Sequence, residues 1–228
     1  QDIATNVSIA MTRTDVSLKR IVSSDAWFAR QPKALQTALW EAGRIRHLAR
    51  DEWLYGAGDE ETGICAVLDG ALRIEVAVDD RRSVLVNLLI PGIVIGQSRR
   101  LGGGPRIVTA RAASESTVWV VPDAALQRIS SKHPEIWRAV AELVYRQLAD
   151  AMQRTGDLLA LAPRERILTR LRKLAGSSKS EWVALTVTQS DVAEMSGVSR
   201  KTVSAHLLSL QKAGKIRLGY GQIDVRAF

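Results

Sequence analysis

The chain has 228 residues, 46% hydrophobic and 25% charged, with a formal net charge of +8 at pH 7. These values describe a soluble globular protein of one or two domains, and no apolar run approaches the roughly 18 residues of a membrane span. A single cysteine, Cys65, excludes an intramolecular disulfide and a cysteine-held iron–sulfur cluster, and the three histidines, His47, His133 and His206, have no ligand spacing, so no metal is expected.

The opening QDIATNVSIAMTRTD lacks a basic segment followed by an apolar core, so it is not read as a secretory signal. The expected location is the cytoplasm. Residues 1–24 are read as a tail, with 1–10 left out of the fold reading. DAWFARQPKALQTALWEA, residues 25–42, reads as helix, broken at Pro32. From Arg44 to Pro122 the texture changes to short runs rich in Val, Ile and Leu, such as ICAVL, ALRIEVAV, SVLVNLLI, IVTARAA and STVWVV. Turn signals separate them, which predicts a small barrel or sandwich. VLDGALRI reads as a hairpin about a type I′ turn at Asp69–Gly70.

After Pro122 the period becomes helical. PDAALQRISSKH is a short helix, and Pro134 opens a long one to about Ala162, near 43 Å in length at 1.5 Å per residue. Trp137, Ala141, Val144, Leu148, Ala151, Thr155, Leu158 and Ala162 alternate at spacings of 4 and 3, a heptad seam that predicts a partner helix. A second row, Ile136, Val140, Leu143 and Leu159, is expected to pack on the barrel. A dimerisation helix over 134–162 is therefore expected between a domain at 25–133 and another at 163–228.

The last segment holds 12 Lys+Arg and 5 Asp+Glu, a net +7, against +1 for everything before Pro163. Such a basic block beside a neutral one points to nucleic acid. Within it, RERILTRLRKLAG reads as a helix and VALTV as a strand. In TQSDVAEMSGVSRKTVSAHLLSLQKAGKI, Thr188 and Asp191 form a capping box, Gly197 supplies a tight turn and Ser199 caps a second helix. Val203, Leu207 and Leu210 form that helix's inner stripe. Two helices joined by a short glycine turn make a helix-turn-helix, and KIRLGYGQIDV adds a two-stranded wing. The second helix of such a motif enters the major groove, where Lys or Arg reads guanine and Ala touches a thymine methyl. The DNA-facing candidates are Thr188, Gln189, Ser199, Arg200, Lys201, Thr202, Ser204, Ala205 and His206. Thr188 and Gln189 are assigned to phosphates.

This order of β domain, long helix and winged helix-turn-helix resembles the Crp/Fnr family of bacterial transcription regulators, over roughly residues 25–228. The helix-turn-helix carries the resemblance most strongly, supported by ICAVLDGALRI followed by LIPGIVIGQ, which looks like the family's cyclic-nucleotide-binding β-roll. The resemblance implies an α+β chain: a jelly-roll-like effector domain, a dimerisation helix and a winged helix-turn-helix. It implies a homodimer on a near-palindromic operator in double-stranded DNA, with RNA polymerase as a further partner and no membrane.

Departures from the family follow its motifs. Members that read TGTGA-type half-sites have a Glu and an Arg where Lys201 and Ala205 stand, so a different operator is expected; Arg200 matches. The glycine-rich stretch GQSRRLGGGPRIV falls at the family's phosphate-binding cassette. Its candidate effector residues are Gly96, Gln97, Arg99, Arg106 and Ile107. Cyclic-AMP-binding members have Glu at the Gln97 place and Arg-Ser at Arg106–Ile107, and they contact adenine from Thr-Ser where Ala151 and Met152 stand. A small-molecule effector other than cyclic AMP, or none, is therefore expected. GGGP lacks the Lys-Ser/Thr of a Walker A loop, and no nucleophile–base pair is present, so an enzyme is not expected. The alternatives are an effector-independent regulator and a dimeric protein-binding scaffold without sequence-specific DNA binding.

Overall fold

The computed structural model describes residues 13–79, 81–176, 180–219 and 221–226. Residues 1–10, the SSK of the SSKSEW loop and Tyr220 of the wing turn lie outside the described residues. The segment expected to be a tail contains a helix, α1 (Arg13–Val22). Leu18, Ile21 and Val22 share one helical stripe, and that stripe packs against the core of the β domain. The predicted break at Pro32 separates α2 (Ala26–Arg30) from α3 (Lys33–Ala42).

Eight strands follow: β1 (Arg44–Leu48), β2 (Trp53–Tyr55), β3 (Gly63–Asp69), β4 (Leu72–Asp79), β5 (Arg82–Leu89), β6 (Val94–Gln97), β7 (Thr109–Ala112) and β8 (Ser116–Pro122). They form two antiparallel four-stranded sheets, ordered β1-β8-β3-β6 and β2-β7-β4-β5. The strand period of two decides what each side chain of β3 meets. Cys65 and Val67 point into the space between the sheets, beside Leu72, Leu89 and Val118. Ile64, Ala66 and Leu68 point the other way, onto a helical layer containing Trp27, Phe28, Leu35 and Leu126. Both faces of β3 are covered, which is why ICAVL is apolar without alternation. Burial pushes the Cys65 thiol up to about 11, so it behaves as a small apolar side chain.

Asp69–Gly70 does not close a hairpin. β3 pairs with β6 and β8, whereas β4 pairs with β5 and β7. Gly70, at φ 77°, instead carries the chain from one sheet to the other. A Cβ there would stand 2.4 Å from the Glu115 carbonyl oxygen, so the turn needs glycine for close approach as well as for its dihedral. The hairpin in this region is β4–β5, in register from Leu72↔Leu89 to Asp79↔Arg82.

Beyond the sheets come α4 (Asp123–Ser130) and α5 (Ile136–Ala160). Ile136, Val140 and Leu143 are buried as expected. Leu159, assigned to the same row, is 85% exposed. It lies about four and a half turns beyond Leu143, roughly 24 Å along the axis, and so faces nearly the opposite side of α5, away from the row that packs on the β domain. Trp137, assigned to the partner-facing seam, is partly buried against the helical core of its own chain. The C-terminal part comprises α6 (Pro163–Ala175), β9 (Trp182–Leu185), α7 (Gln189–Ser196), α8 (Arg200–Lys212), β10 (Ile216–Gly219) and β11 (Gln222–Arg226), with sheet order β10-β11-β9. No described helix is long and apolar enough to cross a membrane.

One buried carboxylate ties the β domain together. Asp25 caps α2 by accepting from the Trp27 and Phe28 amides, accepts from the Val94 amide of β6, and pairs with Arg146 of α5 at 2.8 Å. Removing it costs a helix cap and strands a half-buried guanidinium. Asp25→Ala is predicted to lower the unfolding free energy by about 3 kcal/mol, and Asp25→Asn, which keeps one acceptor, by about 1 kcal/mol. Urea denaturation of the two variants checks both values.

Candidate nucleic-acid interface

α7 and α8 are built as their caps require. Thr188 accepts from the Asp191 amide, while Asp191 accepts from both the Thr188 amide and its hydroxyl. Gly197 ends α7 at φ 59°, and Ser199 then caps α8 by accepting from the Thr202 amide. Val203, Leu207 and Leu210 are fully buried in a core shared with Ile167 and Leu171 of α6, Val192 of α7 and Ile223 of β11. On the opposite side Lys201, Ala205 and Leu208 are exposed, Arg200 is exposed in the first turn, and Thr202, Ser204 and His206 are half-buried on the flanks. Thr188 is exposed at the start of α7 and Gln189 is half-buried beside it. Lys201 and Ala205 therefore stand together opposite the stripe, the other α8 candidates flank them, and Thr188's hydroxyl is already used in its cap. Arg217 of the wing stacks on the Trp182 ring at 3.9 Å, which holds a further cation at the edge of this side.

In the glycine-rich loop, the cationic groups are engaged by the protein itself. Arg106 is 7% exposed; it donates to the Glu61 and Gly63 carbonyls and lies 4.0 Å over the Tyr55 ring. Arg99 pairs with Glu60, and Arg100 with Asp123 at 3.9 Å. Gln97 donates across the loop to the Gly104 and Pro105 carbonyls. Ile107 is 78% exposed. Gly96 is bound on both backbone groups by the Gln147 side chain of α5, which accepts from its amide at 3.3 Å and donates to its carbonyl at 2.7 Å. Strand β6, which leads into the loop, is therefore fastened directly to the long helix.

Along α5, the exposed apolar side chains are Val144, Tyr145, Leu148, Met152, Leu158 and Leu159. Ala141 and Thr155 of the predicted seam are also exposed, and Ala151 is half-buried. Tyr145 and Met152 were not in that seam; its strict 3-4 spacing skips them. They line an open groove of about 480 Å³ with Leu148, Ala149, Gln153 and Gly156.

Residues 45–133 match the cyclic nucleotide-binding domain, and residues 165–227 match the Crp-like helix-turn-helix domain. The nitrogen fixation regulation protein FixK of Bradyrhizobium diazoefficiens is 27% identical over 80% of this chain and 78% of its own length. A CRP-like cAMP-activated global transcriptional regulator of Mycobacterium tuberculosis is 24% identical over 74% of this chain and 78% of its own. The solved structure of FixK2 from Bradyrhizobium japonicum superposes with a TM-score of 0.70 at 23% identity, over 81% of this chain and 92% of that one. The chain belongs to the Crp/Fnr family.

As a Crp/Fnr-type transcription regulator, it joins its two domains through a contact that its sequence does not announce. Arg73 of β4 donates to Glu75 on its own strand and reaches across to Asp191 and Glu194 of α7. Glu194 also accepts from the Leu85 amide of β5 at 3.2 Å. Asp191 therefore serves twice, as α7's cap and as an anchor on the β domain. Arg111 completes the network by pairing with Glu75 at 2.9 Å and Asp51 at 2.7 Å. Arg73 stands in LRIEV at an outward strand position, which normally means solvent; only the tertiary arrangement covers it. Ala71, Leu85 and Leu88 add an apolar patch to the same contact.

Burial alone would raise the Glu75 carboxyl, but the hydrogen bonds from Arg111 and Arg73 outweigh it and hold the group below its usual value. A carboxylate depressed in the folded state contributes stability above its unfolded value, about 4.3, and loses it as pH falls through the folded one. Glu75→Gln is predicted to cost about 2 kcal/mol at pH 7 and progressively less below about pH 4. Unfolding midpoints of the wild type and variant across that range test the sign.

Proposed function

We propose that two copies of this chain pair through α5 and place both α8 helices in successive major grooves of a near-palindromic operator. One observation carries this reading. α8 commits Val203, Leu207 and Leu210 to its own core and leaves Lys201 and Ala205 uncovered on the side away from it, with Arg200 exposed in its first turn. In this pose Lys201 donates to guanine O6 or N7, Ala205 meets a thymine methyl, and Ser204 serves either neighbour. Ser199, Thr202 and His206 flank the groove, and Arg200 reaches a base or the adjacent backbone. Thr188 and Gln189 present the N-terminus of α7 to a phosphate. Lys201 cannot accept from cytosine N4, so the half-site differs from those read through Glu.

Pairing uses Ala141, Val144, Leu148, Ala151, Thr155 and Leu158, joined by Tyr145 and Met152. Trp137 belongs to its own chain's core and only borders the seam. Chromosomal DNA as target places the protein in the cytoplasm, with RNA polymerase as the further partner.

The regulator binds its operator without cyclic AMP. What supports this is the engagement of Arg106 by two carbonyls and a ring, of Gln97 by two more carbonyls, and the apolar Ile107 where a hydroxyl is needed. The double hydrogen bond between Gly96 and Gln147 is the route by which any other ligand at Gly96, Gln97, Arg99, Arg106 and Ile107 would reach α5.

Selection from random duplexes is predicted to return a symmetric motif whose affinity falls steeply with salt. Lys201→Ala should relax preference at one position of each half-site, at a cost of about 1–3 kcal/mol. Gln189→Ala should weaken every sequence alike; it is the better phosphate probe because Thr188→Ala also deletes a cap. Adding cyclic AMP should change operator affinity less than about twofold, within 0.4 kcal/mol. Recovery of no symmetric motif, or equal loss across sequences for Lys201→Ala, contradicts the reading.

A further inference from the structure

We propose that the junction of α5, α6 and the last turn of α7 is a binding site for a small monatomic anion of chloride or bromide size. Arg154, Arg166, Arg170 and Lys173 line it, with Asp157, Leu158, Met195 and Ser196. Four cations thus face one carboxylate. That carboxylate is already occupied: Asp157 accepts from Gln153 at 2.9 Å and pairs with Lys173 at 3.5 Å.

Two donors at the site have no partner. Ser196 is 2% exposed and its Oγ is buried without a hydrogen bond, as is Nε of Arg166. A buried unsatisfied donor is expensive, and two on one small cavity among surplus positive charge call for an acceptor. Arg170, 8% exposed, donates to the Met195 carbonyl at 3.3 Å, and Arg166 donates through Nη1 to the Leu158 carbonyl at 3.4 Å. Neither bond supplies negative charge. Burial holds the Arg154 and Arg170 guanidiniums below their usual values, and on Arg170 the neighbouring charge of Arg154 acts in the same direction. Asp150 and Asp157 oppose these shifts without reversing them.

Size selects among anions. The cavity is small and partly open, with about 10 Å³ of inner space, room for about one water-sized particle. A nucleotide does not fit; a single halide ion, somewhat larger than water, fits only by using the open side of the cavity. Water could accept from Ser196 Oγ and Arg166 Nε but would leave the charge excess in place. The bound ion would tie the end of the long helix to the helix-turn-helix at the point where Leu158 approaches Gly197; a Cβ on that glycine would stand 3.2 Å from Leu158 Cδ2.

The test is the thermal midpoint of the full chain in sodium bromide against sodium gluconate at fixed ionic strength. The wild type should show a saturable rise with bromide of about 3 °C. Arg154→Gln should abolish that rise. If Arg154→Gln does not fold, Ser196→Ala, which removes one donor, should shift saturation to higher bromide. Crystals grown in bromide should show an anomalous peak within hydrogen-bond reach of Ser196 Oγ and Arg166 Nε. Equal midpoints in the two salts, an undiminished rise in both variants, or a carboxylate of a second copy of the chain in the cavity would overturn the proposal.

Discussion

The apolar stripe of α8 is the constraint on which the helix-turn-helix depends. A 13-residue helix is marginal in water by itself, so its existence depends on what one side buries. Val203, Leu207 and Leu210 meet Ile167, Leu171 and Val192, and the Ser199 cap satisfies the first turn. With stability secured on that side, the outward side is free of any folding role. Lys201 and Ala205 stand on that side, free of the core.

Orientation is set by a second interaction. Arg73 holds α7 against β4 and β5 through Asp191 and Glu194, and α8 follows α7 through the tight turn at Gly197. The direction in which α8 points is therefore coupled to the β domain by a partly buried ionic contact, worth less in net stability than its charges suggest but demanding in geometry. At the other end, Gln147 and Arg146 of α5 grip Gly96 and Val94 of β6. The glycine-rich loop, the long helix and the helix-turn-helix thus form one mechanically connected path.

What the sequence disclosed was what is local. The Thr188–Asp191 box, Gly197, Ser199 and the Val203–Leu207–Leu210 stripe all act within a few residues, and all stand where the sequence places them. Pairing between strands is not local. Asp69–Gly70 has the composition of a hairpin turn, yet β3 finds β6 and β8 because its two apolar faces need both the other sheet and the helices. α1 escaped notice because its stripe of Leu18, Ile21 and Val22 is short and follows a segment without pattern. Leu159 was grouped with Leu143, but sixteen residues are about four and a half turns, so it stands on nearly the opposite side of α5 as well as beyond the surface that would have covered it. Arg106 was legible as a cation at a phosphate-binding place; that Tyr55 and two carbonyls engage it depends on residues more than 40 positions away in the chain.

The central claim is that paired α8 helices enter successive major grooves on one side of a duplex. Hydroxyl-radical footprinting on a duplex recovered by selection examines that geometry directly. The account predicts symmetric protection on one face of the DNA, with the two half-sites separated by one helical turn, about 10–10.5 base pairs centre to centre. Protection of a single half-site, or uniform protection without helical phase, would contradict it.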